Sequence, residues 1–306
     1  MSHNNSSLKA VAIALISNIS VAVIKFVVSF ITLSAAMMAE AIHSTADCFN
    51  QIFLLIGAKR IKKTPSEQHS FGYGKEEYFW GFMVAILLFF VGGGFSVYEG
   101  IHKLFNPEPI KNVFWSFSVL IVAMALEANC FRVAYKQFRK KTKGKFFKSI
   151  IDMSDTNLMV ILLEDFSALF GLMIVFVTTI LAITVSPVFD AIGSILVGTI
   201  LMIIAYVLSN ELRKLIVGES VPREVRADIK TIVREYAIVK HINKIQTMFI
   251  GKEQFMLLMS LDIDDSIVAY DVEDVIEQIK LDIVEKYPNA TNIYIEIKDS
   301  VRNNKI

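Results

Sequence analysis

Ala39-Glu40-Ala41-Ile42-His43-Ser44-Thr45-Ala46-Asp47-Cys48-Phe49-Asn50 is the stretch on which the fold turns. Glu40, His43, Asp47 and Asn50 stand at offsets 0, 3, 7 and 10. At about 100° per residue they fall within an arc of roughly 80° on one helix face. The rest of 35–58 is mainly Ala, Met, Ile, Leu and Phe. A helix with one polar stripe and an apolar back is suited to facing a helical bundle from within lipid.

The surrounding chain has the same character. Of 306 residues, 54% are hydrophobic, and the mean hydropathy is +0.52. An average soluble domain holds about 45–50% apolar residues even with glycine counted. That excess excludes disorder, a collagen-like chain, a disulfide-rich secreted scaffold and an ordinary soluble enzyme. A span needs roughly 20 mostly apolar residues. Six segments meet that length, at 9–33, 35–58, 77–101, 112–137, 157–184 and 187–210. The second is the least apolar, so a hydropathy scan is expected to pass over it. The polar stretch 1–8 runs into the first segment without a cleavage-type boundary, so that segment reads as a retained helix.

Lysine and arginine set the orientation. Lys59, Arg60, Lys62, Lys63 and Lys75 follow the second segment, and Arg139, Lys140, Lys141, Lys143, Lys145 and Lys148 follow the fourth. The third and fourth segments are separated by Lys103 and Lys111 alone, and the turn 184–187 has no basic residue. The two basic loops and both termini are therefore expected in the cytoplasm. Trp80 and Trp115 lie near segment ends, where interfacial aromatics are expected.

From 213 onward the chain is charged and lacks a spanning segment. A helix is expected over 222–236 with Pro222 near its first turn, then strands at 238–250 and 254–263 around Gly251-Lys252. A second helix over 272–287 ends at Pro288, and a last strand covers 292–297. The fold class is thus an α-helical membrane protein of six transmembrane helices, residues 1–212, followed by a small α+β (α-β-β-α-β) cytoplasmic domain, residues 213–306. The net charge of +1 gives no basic field for nucleic acid. Cys48 and Cys130 have no paired spacing, so neither a disulfide framework nor a zinc finger is expected.

Each ionisable group at bilayer depth costs at least about 2.5–3.5 kcal/mol on insertion scales. His43 and Asp47 lie roughly 12–18 Å into the second segment at 1.5 Å per residue. In the fifth segment, Glu164 and Asp165 interrupt an otherwise apolar run near the same depth. An i,i+4 His/Asp pair can share one ion, and a carboxylate from a facing helix adds a further ligand. Such N/O ligation suits Zn²⁺, with Mn²⁺ and Fe²⁺ as alternatives. These ligands bind metal only when deprotonated, so protons and metal compete. The competing reading is polar glue between helices. Glu40 and Asn50 are pathway or structural groups, and Glu127 is either a relay or a partner of Arg132. Asn18 reads as packing glue, and Gly92-Gly93-Gly94 as a place of close helix contact. Neither HExxH nor GxSxG is present, so the reading is not an enzyme.

The stretch 39–47, the six spans and the α+β tail resemble the cation diffusion facilitator (cation efflux) family of metal/proton antiporters. His69-Ser70-Phe71-Gly72-Tyr73-Gly74-Lys75-Glu76, Tyr98-Glu99-Gly100-Ile101-His102-Lys103-Leu104, Leu162-Leu163-Glu164-Asp165 and Gly218-Glu219-Ser220 resemble its zinc transporter nine-like branch. The resemblance implies a transport site made of an i,i+4 pair on the second span, here His43 and Asp47, and a His-x-x-x-Asp pair on the fifth. Asp165 matches that aspartate, but Ile161 stands where the histidine belongs. Glu164, water or a backbone group is then left to complete the set. In the loop after span two, where relatives hold zinc with an acidic residue and two histidines, this chain has Ser66, His69 and Tyr73. The cytoplasmic histidine cluster of relatives is reduced to His241, with Ser260 and Glu296 at the other places.

The resulting expectation is a homodimeric exporter of a divalent cation, Zn²⁺ first and Mn²⁺ or Fe²⁺ next, in exchange for protons. It has no cofactor beyond the transported ion and no nucleic-acid partner. Its metal ligands are His43, Asp47, Asp165 and Glu164, and the lipid bilayer that houses it is the plasma (inner) membrane. A non-transporting membrane scaffold or signalling subunit is the rival class.

Overall fold

The structure, a computed structural model, describes residues 18–141, 156–251 and 254–299. Residues 9–17 of the first expected segment, Lys143, Lys145 and Lys148 of the second basic loop, and Lys252 of the expected turn lie outside the described residues. The chain groups into two compact units, one drawn from 1–60 and 77–213 and the other from 61–76 and 214–306.

The first unit is helical: α1 (Asn18–Thr32), α2 (Ala35–Arg60), α3 (Glu76–Phe105), α4 (Val113–Lys141), α5 (Thr156–Thr184) and α6 (Val188–Val217). By length and composition α3, α4, α5 and α6 can each cross a membrane. α2 is long enough, at 26 residues, but its polar stripe keeps it out of that group, as the sequence leads one to expect. Large apolar side chains stand outward, among them Phe30, Phe90, Phe114, Ile203 and Tyr206. Water would not tolerate so extensive an apolar surface, but hydrocarbon does.

Inside, Met37, Leu88, Leu120, Leu172, Val175, Val197 and Leu201 form one core, and Val84, Phe138, Met159, Leu162, Leu208 and Leu212 another. α3 is not uniform. Leu88–Gly94 winds as a π-helix, which the sequence does not announce, and its three terminal glycines hold the helix weakly. They serve close contact: a Cβ on Gly198 of α6 would sit 2.7 Å from the Gly93 carbonyl oxygen. One on Gly100 would sit 2.9 Å from that of Ala191. Small residues are what let two spanning helices touch backbone to backbone.

The α1–α2 turn is fixed by buried charge. Leu33 has φ +55°, a left-handed conformation that strains a side-chain-bearing residue. Its carbonyl accepts from Lys103 of α3. Lys103 also pairs with Asp190 of α6 at 2.9 Å. Asp190 in turn accepts from the Ala35 amide at 2.6 Å and from Ser34 Oγ at 2.5 Å, capping the N-terminus of α2. Removing one member of a buried ion pair costs about 3–5 kcal/mol, because the other is left uncompensated.

The second unit is α+β: α7 (Arg223–Arg234), β1 (Val239–Phe249), β2 (Phe255–Ile263), α8 (Ala269–Lys286) and β3 (Ala290–Ile297). β1 and β2 form an antiparallel hairpin, and β3 returns parallel to β2, so the sheet order is β1-β2-β3. A parallel return needs a crossover, and α8 supplies it. Phe255, Leu257, Met259, Leu261 and Ile263 are buried at the two-residue period of a strand. Ile229, Ile232 and Val233 of α7 and Ile279 and Ile283 of α8 are buried as well. α8 starts three residues earlier than the sequence suggests, since Val268 is extended and the Val272 amide already bonds back to it. It ends at Tyr287, as Pro288 pushes the preceding residue out of the helical region. Within this unit Gly74 lies against Gly251. A Cβ on Gly74 would stand 2.7 Å from the Gly251 Cα, so no side chain fits there.

Candidate metal site

The α2 stripe faces inward. Glu40 and Asn50 are 0% exposed and His43 is 1% exposed. His43 Nδ1 stands 3.7 Å from Asp47 Oδ1, close enough for attraction and too far for a hydrogen bond. Among the described residues, neither ring nitrogen of His43 nor Asp47 Oδ1 has a hydrogen-bond partner. From α5, Glu164 receives a 2.5 Å hydrogen bond from Asn50 Nδ2, and its carboxyl meets that of Asp47. Ser167 Oγ bonds the Glu164 carbonyl and fixes the local turn.

Of the four expected ligands, the structure thus joins His43 to Asp47 and Asp47 to Glu164. Asp165 is half-buried, as Glu164 is, and its charged neighbours are Glu164 and Glu127. Among the described residues, no three His, Cys, Asp or Glu side chains converge closely enough to hold a metal ion as they stand. Cys48 is not turned to the stripe; its thiol donates to the Ser44 carbonyl at 3.2 Å.

Two features escaped the sequence reading. Lys25 of α1 is buried and pairs with Glu40 at 3.1 Å. A lysine inside the first span was itself the signal, since any ionisable group at that depth requires a partner. Gln51 also lies on the stripe, and its Oε1 is buried without a partner. Glu40, read from sequence as pathway or structural, is thereby tied to α1.

The remaining positions singled out by the family resemblance lie in the second unit. Ser66 Oγ lies 3.3 Å from the Tyr73 hydroxyl, and the His69 ring stacks on Tyr73 with centroids 4.5 Å apart. On the sheet, His241 stands opposite Asp262, and Ser260 opposite Glu296.

A helical unit with four helices able to cross a membrane among the described residues, a buried histidine–carboxylate seam and an α+β tail define the class: a polytopic membrane protein. The chain belongs to the cation efflux family: the cation efflux transmembrane domain matches residues 11–217, and the cation efflux protein cytoplasmic domain, of dimerisation type, matches 221–300. It is 28% identical over 265 residues to the human "Proton-coupled zinc antiporter SLC30A9, mitochondrial", covering 85% of this chain and 47% of that protein. It is 27% identical over 271 residues to the Arabidopsis thaliana "Metal tolerance protein C4", covering 87% and 59%. To the Bacillus subtilis "Manganese efflux system protein MneP" it is 25% identical over 294 residues, 95% of each chain. The chain thus spans about half the length of the human relative.

Proposed function

We propose that this protein exports a divalent cation, Zn²⁺ foremost, in exchange for protons, through a midplane site of His43, Asp47 and Glu164, with Asp165 beside it. The observation that carries the reading is the α2–α5 seam: carboxyls from two helices meet next to a buried imidazole with neither nitrogen hydrogen-bonded among the described residues. Like charges brought together in a dry interior need a cation or a proton between them. A site with both options exchanges one for the other. Binding would draw the three side chains in around the ion, and tilting of helices about the seam would open it to either face. Glu164 takes the place left by Ile161. In this reading 1–212 is the transport domain and 213–306 a cytoplasmic domain that pairs two copies, with both termini on the cytoplasmic side of the plasma (inner) membrane. The protein acts on no covalent bond.

A second cargo has its own support. Losing one nitrogen ligand shifts the donor set toward oxygen, which suits Mn²⁺ better than Zn²⁺, and the Bacillus relative is named for manganese efflux.

The test is flux in proteoliposomes. Zinc uptake driven by a pH gradient, reduced more than about a hundredfold by Asp47→Ala, is the expected result. Absence of flux for every divalent ion overturns the reading in favour of a scaffold, and preference for manganese changes the cargo alone.

A further inference from the structure

The two oxygens of the Glu40 carboxylate have different surroundings. Oε2 accepts from Lys25 Nζ at 3.1 Å, while Oε1 is buried without a partner. Lys25 also donates to Ser44 Oγ at 2.7 Å, one turn further along α2. On the other side α5 presents Gly171, and a Cβ there would stand 3.1 Å from Glu40 Oε1. The glycine leaves room beside the free oxygen, and a larger residue would fill it.

This oxygen is one of a file. Among the described residues, Glu40 Oε1, both nitrogens of His43, Asp47 Oδ1, Asn50 Oδ1 and Gln51 Oε1 are all buried without a hydrogen-bond partner. They fall within an arc of roughly 100° on α2, a step of about 4.5–6 Å separating most successive side chains. Nearly all buried acceptors in proteins are partnered, so a row left open along one helix face is a row of places for a cation stripped of water. Glu40 differs from the others in already holding one, the ammonium of Lys25.

We propose that Glu40 is a second, transient cation-accepting carboxylate on the transport path and that Lys25 is its resident counter-cation. A divalent ion moving one turn along α2 from His43 takes Glu40, and the ammonium withdraws onto Ser44. At equal distance a divalent ion attracts the carboxylate twice as strongly as an ammonium does. Between passages Lys25 keeps the carboxylate from standing alone in the interior, where an unpaired charge is costly. The inference rests on the proposed transport through His43 and Asp47.

The experiment uses the full chain in liposomes, comparing pH-driven zinc uptake with the equilibrium zinc isotherm for wild type, Glu40→Gln, Lys25→Met and the double variant. Glu40→Gln is expected to slow uptake about tenfold or more while leaving midplane zinc affinity within about threefold. Lys25→Met, with Glu40 uncompensated, is expected to bind a second zinc ion. The double variant buries no unpaired charge and is expected to keep near wild-type thermal stability and to stay slow. Wild-type uptake in that double variant shows the pair to be a structural tie and overturns the inference, as does a single zinc bound by Lys25→Met. If Asp47→Ala is inactive while the double variant is fast, only this inference fails; if the wild type carries no ion, both readings fail together.

Discussion

The α2–α5 seam of the helical unit and the α7–α8 seam of the tail both join two helices through acidic side chains, and they use them in opposite ways. In the tail, Asp228 of α7 takes Lys286 at 2.6 Å and the Tyr287 hydroxyl at 2.6 Å. Asp282 of α8 takes the Tyr236 hydroxyl. The Lys286 hydrogen bond holds the Asp228 carboxyl below its ordinary value, while burial and then Asp228 itself push the Tyr287 hydroxyl up to about 12. These acids are partnered and near water. Along α2 and α5 the acids are buried or half-buried, Asp47 meets Glu164, and two acid oxygens and two ring nitrogens lack a hydrogen-bond partner among the described residues. A partnered surface acid is a modest tie. A buried acid left short of partners is kept at a cost, and such a cost points to a mobile ligand.

The sharpest way to break this comparison is on α5. Because Glu164 and not Asp165 meets Asp47, Glu164→Gln should lower zinc affinity by about 10–100-fold, against a smaller loss for Asp165→Asn. Titration calorimetry on purified protein reads both, and the reverse order would show that α5 turns on binding. Next in size is the pH dependence. Imidazole and carboxylate must shed protons to bind metal, so apparent zinc affinity should fall as the pH drops below about 6.5, by up to about tenfold per unit for each proton displaced. A flat affinity between about pH 5 and 8 would count against proton exchange.

The smallest effect belongs to the tail. A carboxyl whose folded value is depressed contributes stability that is present above its unfolded value, 3.8 for Asp228, and is lost as the pH falls through the folded one. Amide exchange of α7 and α8 in the full chain should therefore be insensitive to pH near neutrality once intrinsic rates are removed, and should quicken below about pH 4. Asp228→Asn should blunt that acid-side change. An unaltered profile in the variant would show that the tie contributes nothing.

Much of this was legible in residue order. The strand expected over 254–263 and the helix end expected at Pro288 are both found, because both are local properties of the backbone. The polar offsets of α2 placed His43, Asp47 and Asn50 on one face because a helix repeats every 3.6 residues regardless of its neighbours. The π-turn at Leu88–Gly94 was hidden, since three glycines only permit it and the approach of Gly198 is what uses it. Sequence favoured Asp165 as the α5 ligand, yet adjacent residues on a helix differ by about 100° in direction. Which of them looks at α2 depends on how α5 is rotated in the bundle, and no spacing within one helix encodes that.

Residue order by itself determined that the chain spans a bilayer, that α2 carries a histidine–carboxylate stripe at mid-depth, and that an α+β tail follows. Those conclusions rest on hydropathy and on the fixed periods of helix and strand. Only the tertiary structure decided that Glu164 meets Asp47, that Lys25 from α1 neutralises Glu40, and that Asp190 and Lys103 fasten the start of α2. Each of those pairings joins two different helices, so it is set by how the helices pack in three dimensions, which the period of one helix does not contain.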